Sequence, residues 1–382
     1  MLYPIPYIAI CAILGVLSIL IHQHPDDKDY CRKLTMAGMV ACVVFLGFRG
    51  FVFHDWYIYF PEFEKLSFYD IQKYEIGSKR EIGWLCFQWI CKSIFDNYHF
   101  MIFVHSVITL SLLYRFLNRY TQNILLGIII YLIFDGFTLS INLLRNSFAI
   151  MIFLNALPYL YERRPLQYVG LCLLAMTFHF SAFFFLPLYF FLHRNTNRWV
   201  FASIYLVGFF IYIANIPIFL TAIRLLGYEN DFLTDKIEAY SNLSISLKIS
   251  IGLLERLMTG ILIFCYYDKL KSLNKENVMF INTFIIYILS VFLISEFSEI
   301  SKRISIIFVF CYWVIWIYLI KCFYYSNNRK LFITFVVLYG ILKIAAPIRN
   351  QPVCEYDNIL LGGIKSYQER KYTFDRTFDS DN

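Results

Sequence analysis

The sequence predicts an all-α polytopic integral membrane protein of about ten to twelve transmembrane helices, with a short interfacial helix after the second span. Three observations carry that prediction. The 382 residues are 59% hydrophobic and only 16% charged, with a mean hydropathy of +0.59, outside the range of soluble domains. Apolar runs recur from one end of the chain to the other. The short stretches between them are rich in Lys and Arg, as cytoplasmic loops are. Residues 1–348 read as one membrane domain, and 349–382 as a mobile, charged C-terminal tail.

Residues 4–21 are apolar, with no basic flank and no small-residue cleavage site, and read as a retained first span. Residues 34–48 form the second. The segment 84–114 is too long for one crossing of about 20 residues and short for two. A short interfacial helix followed by a full span fits it. Apolar segments follow at 123–141 and 146–160. The stretch 166–192 has a histidine in its middle and basic loops on both sides, ERR (162–164) and HRNTNR (193–198). Placing both loops on one side requires two short half-helices, since roughly 27 residues cannot cross twice. Segments at 199–221, 249–267, 278–294, 304–322 and 331–346 complete the set.

The loops 25–33, 115–120, 162–164, 268–275 and 321–330 are basic and therefore cytoplasmic by the positive-inside rule. The second span then delivers 48–83 to the outer face. The chain near 145 and near 179, the 222–248 loop and 295–303 follow it there. The net charge of +7 suits anionic lipid at the cytoplasmic surface rather than nucleic acid. The ten cysteines are scattered, with no CxxC, and read as small helix residues. HQH at 22–24 lacks a third ligand, so no metal is assigned. Phosphate-loop, dinucleotide-binding, zincin and nucleophile-elbow motifs are absent, and no cofactor is implied.

Charges near a membrane core are costly and mark function unless something else accounts for them. Five places qualify: Arg49 with Asp55; Glu81; Arg145 in INLLRNSFAIMIF; His179 with Ser181; and Glu296, Glu299 and Arg303. All five fall toward the outer face, which points to one shared site. Each has a plainer alternative. Arg49 at a helix end suits a snorkelling anchor, Asp55 a helix cap, and His179 a structural histidine. Glu299 and Arg303, four apart, suit a pair along one helix. Trp56, Tyr57 and Tyr59 suit an interfacial belt or stacking under sugar rings.

The order of these motifs resembles the EpsG family of exopolysaccharide and O-antigen (Wzy-like) polymerases. The resemblance rests on FRG (48–50), then Asp55, Tyr59 and Phe63; Glu81 with Gly83; LRNSFA (144–149); AMTFHFSA (175–182); and Glu299, Arg303 and Phe308. It covers about 40 to 310. Trp56 stands where the family has Tyr, Asn146 where it has Gln, and Phe53 and His54 where it has small residues.

The resemblance implies a bacterial inner-membrane enzyme, active on the outer face, that joins oligosaccharide repeat units carried on undecaprenyl diphosphate. An acceptor hydroxyl would attack the anomeric carbon of the donor chain. Membrane lipid, a chain-length regulator and a flippase would be its surroundings and partners. Arg49, Arg145 and Arg303 are the candidates for stabilising the diphosphate. His179, Asp55 and Glu299 are the candidate bases. Trp56, Tyr57, Tyr59, Glu81, Asn146 and Ser181 are the candidate substrate contacts, and the 222–248 loop a contact for the acceptor. The rival readings are a lipid-linked glycosyltransferase or acyltransferase, a transporter of a lipid-linked solute, and a structural membrane subunit.

Overall fold

The computed structural model describes residues 3–75, 80–218, 221, 250–295 and 297–379. Glu296 and the 222–248 loop lie outside these. The described residues are mainly helical and contain no β-strand, only isolated bridges joining Arg49 to Asn358 and Asn358 to Gly363. Four helices are long and apolar enough to cross a membrane, or five if the bent pair Glu299–Phe308 and Phe310–Cys322 is one span. Most of the other expected crossings resolve into shorter apolar helices of 10–17 residues, and the 249–267 segment gives the 15-residue helix Ile251–Cys265. The chain forms two compact units, 1–189 with 326–382, and 190–325.

The first unit begins with α1 (Ile5–Gln23), α2 (Lys28–Gly47), α3 (Trp56–Lys65), α4 (Phe68–Gln72), α5 (Ile82–Ile94), α6 (Tyr98–Tyr120), α7 (Ile124–Tyr131), α8 (Leu144–Leu154), α9 (Leu157–Tyr161) and α10 (Pro165–Phe178). Polar caps set several of the starts. Asp27 accepts from Tyr30 N, Asn97 from His99 N and Phe100 N, and Asn123 from Leu126 N. The 84–114 segment breaks at 95–97, giving a 13-residue α5 and a 23-residue α6. The 166–192 segment breaks at His179, which is extended and separates α10 from a 3₁₀ helix over Phe180–Phe190. These are the two half-helices that the flanking basic loops require.

The 123–141 segment is not one continuous helix. Phe134 and Asp135 leave helical geometry, Asp135 at φ +66°. Carbonyls freed by such a break need partners inside a membrane. Arg49 Nη2 donates to Ile141 O at 3.3 Å and His105 Nε2 to Leu144 O at 3.0 Å.

The second unit holds α11 (Arg198–Ile213), α12 (Ile251–Cys265), α13 (Tyr267–Leu273), α14 (Asn277–Leu293), α15 (Ser298–Ser305) and α16 (Phe310–Cys322). Asn282 of α14 donates to the carbonyls of Leu192 and Arg194, both at 2.9 Å, and so pins the start of the unit.

The chain returns to the first unit with α17 (Ser326–Ile348) and α18 (Tyr367–Asp379). Lys343 of α17 lies 3.7 Å from Asp135 at the α7 break. The expected mobile tail is instead docked. Phe53 N donates to Val353 O at 3.0 Å, Gly50 N to Asp357 O at 3.1 Å and Ile359 N to Phe48 O at 2.8 Å. A Cβ at Gly50 would fall 2.9 Å from Asp357 Cγ, so glycine there permits the approach. Ser366 and Glu369 form a capping box at the start of α18. The Ser366 hydroxyl and N–H hold the Glu369 carboxyl below the usual range, so this cap is complete at neutral pH and is lost on acidification. Arg370, 1% exposed, lies 2.8 Å from Asp357 and donates to Glu355 O at 2.8 Å. These bonds account for the order of a charged segment.

Arg370→Ala is expected to destabilise the first unit by up to about 3 kcal/mol, since removing one partner strands the other's charge. Thermal unfolding in detergent, with proteolysis at 349–379 as a second readout, checks this. An unchanged midpoint and cleavage pattern would show that the latch contributes nothing.

Candidate functional site

The site is built where α3, α5, α8 and the end of α10 meet. Arg145 lies in the first turn of α8. Its Nη1 lies 2.5 Å from Glu81 Oε2, and both side chains are mostly buried, 17% and 18% exposed. Its Nε lies 3.5 Å from the Tyr59 hydroxyl. Nη2 has no partner among the described residues. The other Glu81 oxygen accepts from Phe180 N at 3.0 Å. One carboxylate therefore joins α8 to the break after α10.

Gly83 makes that geometry possible. A Cβ there would lie 2.8 Å from the carbonyl oxygen of Thr177. A side chain would hold α5 away from α10 and pull Glu81 off Phe180.

His179 ends α10. Its Nδ1 accepts from Ser181 N at 3.1 Å, so Nε2 carries the proton of the neutral ring. The Ser181 hydroxyl lies 2.7 Å from the same Nδ1 and 3.0 Å from Asn146 Oδ1. Asn146 is the neighbour of Arg145 on α8. Two independent sets of bonds thus tie the start of α8 to the His179 break.

Asp55 stands at the N-terminus of α3, one turn before Tyr59. Asn142 Oδ1 accepts from His54 N at 3.1 Å and Asp55 N at 2.8 Å, which fixes that terminus against the residues preceding α8. Burial pushes the Tyr59 hydroxyl up and the His54 imidazole down, in each case favouring the neutral form.

Arg49 belongs to the frame. It is 3% exposed, and its guanidinium donates to the carbonyls of Leu46 and Ile141. No carboxylate pairs with it among the described residues. The expected anchor at diphosphate depth is here a brace between α2 and the broken 132–143 stretch.

The three aromatics expected to face lipid or sugar are occupied as well. Trp56 and Tyr59 are buried with Phe51, Phe63, Trp84 and Tyr98. Trp56 Nε1 donates to Phe53 O at 2.9 Å, and Tyr57 stacks on Phe374 of α18 at 4.4 Å.

Glu299 and Arg303 lie in the second unit on α15. Glu299 pairs with Lys302 at 2.7 Å rather than with Arg303, which is exposed. Within the first unit, hydrogen bonds and an ion pair connect Glu81, Arg145, Asn146, His179 and Ser181.

Two features escaped the sequence reading. Asn142 is a polar residue in an apolar run, three positions before Arg145, and that was the available signal. Glu255 and Arg256 are charged residues inside the 249–267 segment. Glu255 is buried and accepts from Thr259 Oγ1 at 2.8 Å, and Arg256 Nε lies 3.3 Å from the Tyr287 hydroxyl. Their charge within an apolar helix was the signal there. Among the described residues no group of three or more His, Cys, Asp or Glu is arranged to hold a metal ion.

Gly83→Ala and Glu81→Ala are each expected to destabilise the protein by about 1–3 kcal/mol, by overpacking and by stranding Arg145 respectively. They act on one junction, so the double variant should lose less than the sum. Unfolding midpoints of the four proteins test this. Full additivity would show that Gly83 does not act through Glu81.

The model of the EpsG family matches residues 35–359, a range that includes every residue of the cluster. No curated protein and no solved structure matches the chain.

Proposed function

The chain belongs to the EpsG family, which has a polysaccharide-polymerase role in exopolysaccharide biosynthesis, and we propose that it joins repeat units carried on undecaprenyl diphosphate. The reaction would run at the outer face of the bacterial inner membrane. The observation that carries this reading is the meeting of Glu81, Arg145, Asn146 and His179 at one junction. It gathers three motifs of the family resemblance that stand 35 to 99 residues apart.

In this mechanism an acceptor hydroxyl oxygen forms a bond to the anomeric carbon of the donor chain. The bond from that carbon to the diphosphate oxygen breaks, and the lipid diphosphate leaves with the electron pair. Negative charge grows on the leaving group. A fixed guanidinium stabilises such charge without reorganising. Arg145 suits this role because Glu81 and Tyr59 orient it while Nη2 remains for a phosphate oxygen.

His179 is a positioning residue in this reading rather than the base, because Ser181 N occupies its Nδ1. The hydroxyl proton then passes to Asp55, the acid at the edge of the cluster. Arg49 and Asn142 are positioning residues. Glu81 has two uses: it orients Arg145 and keeps its charge compensated until a diphosphate arrives.

Surface glycan from cells lacking the gene, complemented with wild type or variants, tests the reading. Loss is expected to leave material capped with single repeat units, and wild type to restore a ladder. At equal protein levels, Arg145→Ala should cut polymer by about 100-fold or more, the scale for removing one such electrostatic donor. Asp55→Asn should be impaired while still binding lipid-linked donor. If loss of the gene also removes single units, the defect lies upstream, and a flippase or transferase replaces this reading.

A further inference from the structure

At the far end of α6, α8 and α10 lies a polar cavity of about 440 Å³, within the first unit. From His99, which contacts Arg49 O, to Arg115 at the cavity, α6 rises about 24 Å. That is nearly the thickness of a hydrocarbon core. Arg115, Asn118, Arg119, Tyr159, Glu162 and Arg164 line the cavity. All but Tyr159 come from the two basic stretches, 115–120 and 162–164, that the positive-inside rule assigns to the cytoplasm.

The described residues that line this cavity are more basic than acidic. Glu162 lies 3.1 Å from Arg164 and 4.0 Å from Arg119. Arg115 forms no ion pair among the described residues. Among the described residues that line the cavity, three are arginines and one, Glu162, is acidic.

The walls are also built to hold their shape. Asn155 donates to the carbonyls of Leu112 at 3.1 Å and Met151 at 2.9 Å, tying α6 to the end of α8. Arg163 adopts the left-handed conformation, φ +60°, which costs a non-glycine residue about 1 kcal/mol or more. It is held there by its bond to Tyr189 O at 2.6 Å and by stacking over that ring at 4.0 Å. The turn that presents Glu162 and Arg164 is therefore fixed.

A second observation indicates the shape of the ligand. α10 starts next to Arg164 and carries an exposed apolar face: Leu166 (85% exposed), Val169 and Leu173 (51%). These residues are three and four apart and lie on one side of the helix. A positively charged cavity continued by an apolar track fits a molecule with an anionic head and a hydrocarbon tail.

We propose that this cavity binds the phosphate of an anionic phospholipid of the leaflet next to the basic loops. Arg115, Arg119 and Arg164 are the donors, and the acyl chain lies along Leu166, Val169 and Leu173. Free phosphate shares the head chemistry but gains nothing from the track.

The test uses the full-length protein in non-ionic detergent, with thermal unfolding followed during separate titrations of phosphatidylglycerol, phosphatidylcholine and inorganic phosphate. Phosphatidylglycerol is expected to raise the midpoint, and the other two to leave it nearly unchanged. Arg115→Gln, which breaks no ion pair among the described residues, should weaken the apparent affinity about fivefold, the scale for one basic group near a charged bilayer. Arg115→Gln with Arg164→Gln should weaken it further. Lys330→Gln, at an exposed site near the start of α17, should respond like wild type. An equal gain from phosphatidylcholine, an equal loss in Lys330→Gln, or an unaltered Arg115→Gln would overturn the proposal. A full response to inorganic phosphate alone would overturn the lipid assignment in favour of a free-phosphate site.

Discussion

Glu81 is the constraint on which the first unit turns. A guanidinium at the start of an apolar helix is tolerated only with a partner, and for Arg145 that partner comes from another helix. The same carboxylate satisfies the main chain where the 165–190 stretch breaks. The arginine, the break and the end of α5 are therefore mutually required. Such an ion pair adds modest net stability, because desolvating both charges offsets much of their attraction. Its larger effect is geometric, since it holds a cation in one orientation among apolar helices.

Broken helices are the second theme. Unwinding near 134–143 and at 179 frees backbone groups that lipid cannot satisfy. Side chains bond the main chain there and beside it: Arg49 at Ile141 O, His105 at Leu144 O in the first turn of α8, and Asn142, itself in the irregular stretch, at two N–H groups of the α3 start. Much of the polar inventory thus maintains irregular backbone. In return, that backbone presents Arg145, Asn146 and His179 at a common depth. A regular bundle would spread these residues along separate helix faces.

The apolar period and the spacing of basic loops made the architecture legible, down to the division of 84–114 and of 166–192. Length against bilayer thickness decided both. Unpaired charge in apolar surroundings pointed to Arg145, Glu81 and His179, and the structure joins them. What stayed hidden was direction. Arg49 was legible as costly, but whether it met solvent or a carbonyl depends on a partner 92 residues away. Trp56, Tyr57 and Tyr59 are equally suited by composition to an interface, a sugar or a core. Their burial follows from neighbours supplied by α5, α6 and α18. Composition also misread the tail, because charge signals disorder only when it has no buried counter-charge, and Arg370 has Asp357.

The docking of that tail has a bearing on how the molecule is made. Main-chain bonds tie Phe48, Gly50 and Phe53 to Ile359, Asp357 and Val353 respectively, contacts 300 or more residues apart in sequence. Chains emerge from the ribosome at about 5–20 residues per second, so this loop waits tens of seconds for its partners. Helices α1 to α10 can enter the bilayer and pair while the stretch bearing Arg49 and Asp55 is still incomplete. The loop is therefore completed only after residues 353–359 have been made, and a chain stalled before them would hold lipid-embedded helices but an unfinished loop.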